Sequence, residues 1–187
     1  MTGEDAVGVM VDLMERAGVE YMLVGSFSSN YYGIARATKD ADFVIHATAE
    51  AMDALACSLP EGFRLDAQMA FEMVTSTTKR LVQIDSVPFE IELFDLSLDE
   101  FDQERFRRKL KVSDEGRGCY MPTAEDVIVQ KLRWAKAGKR GKDYEDARDV
   151  TAVQGRHLDF TYIRAWADRH GTRTFFEEIY RSVESLF

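Results

Sequence analysis

Two aspartates separated by one residue, Asp40 and Asp42 in the segment Thr38-Lys39-Asp40-Ala41-Asp42-Phe43, are the side chains of this sequence best suited to chemistry. On an extended strand residues i and i+2 point to the same side, so the two carboxylates share a face once the strand has begun by Asp40. Such a pair suits a hard divalent cation, Mg²⁺ or Mn²⁺, which prefers carboxylate and water oxygens, neutralises phosphate charge and lowers the pKa of an attacking hydroxyl. With 33 acidic residues among 187, an Asp-x-Asp arises easily by chance, so its context has to carry the argument. Here the pair leads into Phe43-Val44-Ile45, an apolar run that reads as a strand. Two carboxylates beside a buried sheet repel each other unless a cation lies between them.

A third carboxylate must come from a neighbouring strand. Phe89-Glu90-Ile91-Glu92-Leu93-Phe94 alternates with a period of two, placing Phe89, Ile91 and Leu93 on one face and Glu90 and Glu92 on the other. Glu92 is the best-placed third acid and Glu90 the reserve. Upstream, Tyr21-Met22-Leu23-Val24 reads as a buried strand ended by Gly25, and Gly25-Ser26 opens a short helix reaching Tyr32. Backbone amides at such a start, with a hydroxyl beside them, suit phosphate oxygens. Arg36 could clamp phosphate or pair with Asp40. Lys131, placed on the polar side of a later helix, could contact phosphate or be solvated.

The elements that must hold these residues follow from periodicity and caps. Residues 4–17 read as a helix stopped by Gly18, Thr48 caps a helix through about Ser58, and Pro60-Glu61-Gly62 ends it. Short strands are expected at 63–65 and 80–84, and a charged helix near 98–109. Pro122 and the cap Thr123 start a helix with an apolar stripe of Val127, Ile128, Leu132 and Ala135, followed by helices at about 143–154, 159–169 and 173–185. The chain thus turns from mixed α/β to all-helical near residue 120. The expected architecture is an α/β mixed sheet flanked by helices over 1–115, with a C-terminal helical bundle over 116–187.

Length fits one domain of ordinary size, or a core with a helical annex, and no run approaches the roughly 20 apolar residues of a membrane span. The acidic start Met1-Thr2-Gly3-Glu4-Asp5 is unlike a secretory signal, so a cytoplasmic protein with no membrane partner is expected. Cys57 and Cys119 lack a partner motif and read as reduced thiols. The formal charge of −9 disfavours nonspecific wrapping of nucleic acid. Basic residues nevertheless crowd at Arg105, Arg107, Arg108, Lys109 and Lys111, and again at Lys131, Arg133, Lys136, Lys139, Arg140, Lys142 and Arg148, which leaves room for a local phosphate-facing surface. His46, His157 and His170 share no ligand spacing, so no zinc site is expected. Trp134 and Trp166 fall at helical spacing with Leu132 and Ile163 and read as packing residues. Asp143, Asp146 and Asp149, at i, i+3 and i+6, read as ion-pair partners of Lys139, Lys142 and Arg148 rather than ligands of a second metal.

Taken together, Gly25-Ser26 after a strand, then Tyr32-Gly33, Arg36, Thr38 and Asp40-Ala41-Asp42, resemble the polymerase-β-like nucleotidyltransferase superfamily. The wording Tyr-Gly, Arg-x-Thr-x-Asp-x-Asp is similar to the minimal nucleotidyltransferases grouped with the abortive-infection (AbiEii-type) toxins, and more distantly to antibiotic nucleotidyltransferases. Pro122 to Trp134 and Lys142-Asp143-Tyr144-Glu145-Asp146 resemble that group's later motifs. The resemblance implies a nucleotidyltransferase-type fold and transfer of a nucleoside monophosphate from an NTP to an acceptor hydroxyl on RNA (tRNA), protein or an antibiotic. It implies Mg²⁺ or Mn²⁺ on Asp40, Asp42 and Glu92, triphosphate at Gly25 and Ser26, and phosphate contacts from Lys131. A toxin or antitoxin partner chain is a further implication. The family's third acid is usually Asp, so Glu92 is a departure.

Overall fold

The computed structural model describes residues 1–66, 68–73, 76–114, 117–138 and 141–187, which divide into two compact units: residues 1–27 with 37–121, and residues 28–36 with 122–187. Lys139 and Arg140 of the basic stretch lie outside the described residues.

In the first unit the chain opens with helix α1 (Gly3–Ala17), started by a reciprocal capping box between Thr2 and Asp5 and stopped by Gly18 in the left-handed conformation. Ala6, Met10 and Met14, four residues apart, put its apolar stripe against the core. Strand β1 (Glu20–Val24) runs straight into helix α2 (Gly25–Tyr32). Strand β2 (Asp40–His46) follows, then α3 (Ala49–Ser58), whose start is capped by Thr48 as expected. Three strands come next, β3 (Phe63–Leu65), β4 (Ala70–Glu72) and β5 (Thr77–Ile84), followed by β6 (Glu90–Asp95). Helix α4 (Glu100–Arg107) and the hairpin strands β7 (Leu110–Asp114) and β8 (Arg117–Met121) complete the unit.

The main sheet has the order β1-β2-β6-β5, and β3 and β4 succeed one another along the outer edge of β5. All neighbours are antiparallel except β2 and β6, which run parallel. One face carries Tyr21, Leu23, Phe43, Ile45, Ile91 and Leu93, buried in a core with Met10 and Met14 of α1 and Leu55 of α3. Each such large apolar side chain contributes roughly 1.5–3 kcal/mol by leaving water. The other face is thinner: Met22, Val24 and Val44 pack with Phe106 of α4 and with the half-buried Phe94 and Leu96, beside polar residues of β2, β5 and β6. Toward the start of β2 and β6, Asp40 and Glu90 are exposed and Asp42 and Glu92 half-buried.

The second unit is helical. Helices α5 (Ala124–Gly138), α6 (Gly141–Gln154), α7 (Phe160–His170) and α8 (Arg173–Val183) bury Ile128, Leu132, Val150, Ile163, Phe176 and Ile179. Thr123 caps α5 as expected, accepting from Asp126 N at 3.3 Å. The Asp126 carboxylate is itself buried, accepting from Thr123 Oγ1 (2.9 Å) and Tyr162 OH (2.6 Å). Trp166 is buried, in keeping with a packing role, and Trp134 is half-buried. Among the described residues no helix is long and apolar enough to cross a membrane.

Sequence patterning missed β4 and the β7–β8 hairpin, and it ran α4 two residues too far at either end. Strand β4 leaves Phe71 exposed, so burial does not mark it, and β7 takes over where the charged run Arg105–Lys111 still looks helical.

A candidate metal and phosphate site

Strand β2 begins at Asp40, so both aspartates lie within it on one face, Asp40 exposed and Asp42 half-buried. Pairing with β6 sets Asp42 opposite Glu92 and Asp40 opposite Glu90. Residues in register on adjacent strands share a face, so four carboxylates occupy two successive cross-strand pairs. Like charges directly opposite are destabilising in a sheet.

Three of the four carboxylates are dealt with separately. Asp40 Oδ1 accepts from Thr38 Oγ1 at 2.7 Å. Glu92 Oε1 lies 2.6 Å from Lys79 Nζ on β5. Asp42 rests against Gly25, so closely that a Cβ on Gly25 would stand 1.9 Å from Asp42 Oδ2. Gly25 has φ +64°, a conformation that also favours glycine. Accordingly, among the described residues no group of three or more His, Cys, Asp or Glu side chains stands close enough to hold a metal ion. The donor set still fits a hard divalent cation. Three carboxylates sit at neighbouring positions of one face, over a backbone that lacks a Cβ where Asp42 lies; convergence requires Asp40 and Glu92 to turn from Thr38 and Lys79.

At the start of α2, Ser26 is buried, and the neighbouring Phe27 meets Phe89 edge-on with ring centroids 6.3 Å apart. Gly25 thus joins the carboxylates directly, and Ser26 is placed beside it by one peptide link.

In the helical unit Arg36 and Lys131 are held by a different pair of acids. Arg36 makes a two-pronged contact with Asp146, Nε to Oδ1 and Nη2 to Oδ2, both 2.9 Å. Its backbone is pinned by Asn30, whose amide donates to Arg36 O at 2.7 Å and accepts from Arg36 N at 3.1 Å. Lys131 is buried rather than solvated, with Nζ 3.0 Å from Asp143 Oδ1 and 2.7 Å from Asp146 Oδ2. Burial by itself would raise the Asp146 carboxyl; hydrogen bonds and charge from Arg36 and Lys131 outweigh it and hold the pKa down at about 2. Asp143 Oδ2 has no hydrogen-bond partner among the described residues.

The expected partners of the aspartate series are therefore partly replaced. Asp149 pairs with Arg148 at 2.9 Å as anticipated, but Asp143 and Asp146 face inward and take Lys131 and Arg36. The reason is that α6 buries Asp143, Asp146, Ala147 and Val150 on one stripe, which directs the first two acids away from water. Lys79 and Asn30 escaped the sequence reading. The signal for Lys79 was available only as the strand extension Thr77-Thr78-Lys79 ahead of residues 80–84.

No family model and no curated protein matches the sequence. Solved structures do match. An antigenic nucleotidyltransferase-like protein from Paracoccidioides brasiliensis aligns over 96% of this chain and 92% of its own, with TM-score 0.53 and 17% identity. The antibiotic-resistance factor ANT(2'')-Ia, solved in complex with adenylyl-2''-tobramycin, aligns over 88% of this chain and 94% of its own, with TM-score 0.60 and 12% identity. The protein JHP933 from Helicobacter pylori aligns over 97% and 90%, with TM-score 0.52 and 14% identity. At these identities the likeness is one of architecture. The chain shares its fold with these structures, among them one described as nucleotidyltransferase-like.

Proposed function

We propose that the chain is a Mg²⁺- or Mn²⁺-dependent nucleotidyltransferase of the AbiEii-type group, moving a nucleoside monophosphate from an NTP to an acceptor hydroxyl. The observation that carries this is the register of Asp42 against Glu92, with Asp42 seated on the Cβ-free backbone of Gly25. Asp40, Asp42 and Glu92 would hold the metal, whose chemistry there is to offset phosphate charge and make the acceptor hydroxyl more acidic. Gly25 and Ser26, at a helix start, orient the triphosphate. Glu92 takes the proton of the hydroxyl as its oxygen bonds to the α-phosphorus, and pyrophosphate leaves with the electrons of the broken bond. Arg36 and Lys131, proposed as nucleotide contacts, are also engaged with Asp146 and Asp143. Their present role is to hold helices together.

RNA, protein and antibiotics are the acceptor classes to test, and an acidic chain of net charge −9 suits a cationic aminoglycoside. The deciding experiment titrates Mg²⁺ and each NTP against wild type and Asp42→Ala, then supplies labelled NTP with tRNA, aminoglycosides and cytoplasmic proteins. Metal-dependent NTP binding lost in Asp42→Ala, and label on one acceptor, support the proposal. A wild type that binds no NTP with metal sinks it.

A second reading has its own observation. With Lys79 on Glu92 and no converged acidic group among the described residues, a degenerate module that binds a toxin or antitoxin partner chain is favoured if metal binding proves absent.

A further inference from the structure

The acidic face of β2 and β6 has a cation of its own. Leu81 of β5 stands opposite Glu92 and Lys79 stands opposite Phe94, so Lys79, Leu81, Glu92 and Phe94 share the face that carries Asp42. Lys79 Nζ reaches along it to Glu92 Oε1 at 2.6 Å, and the ammonium lies 5.6 Å from the centre of the Phe94 ring. Both members of the pair are largely shielded, at 32% and 22% side-chain exposure, so the attraction is screened less than on an open surface. The ring adds a weak cation–π attraction that favours the same position.

We infer that Lys79 is the resident counter-ion of this face, and that a divalent cation must displace it from Glu92 before Glu92 can act as a ligand. The inference rests on the metal reading of Asp40, Asp42 and Glu92. Two consequences follow from charge alone. Without metal, Lys79 relieves the repulsion between Asp42 and Glu92 and so supports the sheet. With metal, the same contact is a cost, because one carboxylate cannot serve both cations at full strength. Lys79 is a positioning residue: it sets the metal affinity by holding Glu92 away from Asp42.

The test is Mn²⁺ binding to the full chain, followed by the EPR signal of free Mn²⁺, together with thermal unfolding with and without the ion. Lys79→Met keeps the length and loses the charge; Lys79→Gln is the second variant should the first fold poorly. Either variant should bind Mn²⁺ roughly fivefold more tightly than wild type, the scale of a partly shielded ion pair. It should melt lower than wild type without the ion and gain more on adding it. Lys79→Arg, which keeps the charge, should restore wild-type affinity. If Lys79→Met and Lys79→Gln bind Mn²⁺ no more tightly than wild type while Asp42→Asn abolishes binding, the inference is wrong and the metal reading stands. If folded wild type and Lys79→Met both bind no Mn²⁺, the metal reading fails and takes the inference with it.

Discussion

Gly25 and Asp42 are interlocked: the carboxylate fills the space that a side chain on Gly25 would occupy, with Oδ2 at 1.9 Å from the ideal Cβ position. No rotamer of alanine can avoid that collision, since Cβ has no freedom. Gly25→Ala must push Asp42 aside and also strain a residue at φ +64°. We expect a loss of about 1–2 kcal/mol in stability from the backbone alone, seen in urea unfolding, and at least a tenfold loss of metal-dependent NTP affinity. Normal NTP affinity in a folded Gly25→Ala protein would remove Gly25 from the site.

Asp42→Asn should separate binding from stability. It removes one of two like charges set directly opposite each other, Asp42 and Glu92, which favours the metal-free fold by roughly 0.5–1 kcal/mol. For a chain of this size that is a rise in Tm of about 1–4 °C, measurable by calorimetry. The same variant should lose Mn²⁺ binding. A variant that melts lower than wild type without metal would show that Asp42 is a structural acid.

Lys131→Met leaves Asp143 and Asp146 buried with less positive charge beside them. Removing one partner from a buried ion pair costs about 3–5 kcal/mol, so Tm should fall by roughly 6–20 °C. Adding Asp143→Asn should recover part of the loss. A Lys131→Met protein as stable as wild type would instead mark Lys131 as a residue kept for ligand contact.

Asp146 makes acid stability a readout of the Arg36 and Lys131 contacts. Its folded pKa, about 2, lies below the ordinary 3.8, so the folded state favours the charged form. The resulting stability is present in full above about pH 4 and is lost as the pH falls through the folded value near 2. Its size is on the order of 2 kcal/mol. Denaturant titrations at pH 7, 4 and 2.5 should show wild type weakening over that last interval, with Asp146→Asn weaker at pH 7 and flatter below pH 4.

How far this could be read in advance depended on whether a residue's neighbours are local. Asp40, Asp42 and Glu92 were legible because strand alternation fixes which side each takes, whatever the strand pairs with. The order of the sheet, and hence the placement of Glu92 against Asp42, needed tertiary structure. Lys79 stayed hidden because its partner belongs to the next strand, and a lysine in Thr-Thr-Lys-Arg looks like any exposed charge. The solvated reading of Lys131 fails for a related reason. Helical spacing put it on a polar stripe, and a stripe of charge reads as solvated until a second helix presents Asp143 and Asp146 to it. Arg36 was offered Asp40, its nearest acid in sequence, and took Asp146 instead.

Among the described strands the one parallel contact, β2 on β6, has a bearing on when Glu92 can first meet Asp42. Parallel neighbours cannot be joined by a hairpin, so α3, β3, β4 and β5 all intervene before Glu92 arrives beside Asp42. Pairing across so long a stretch of chain closes late in folding. A nick or insertion in the connecting stretch that spoils this pairing would part Glu92 from Asp42 while leaving every one of these residues in the chain.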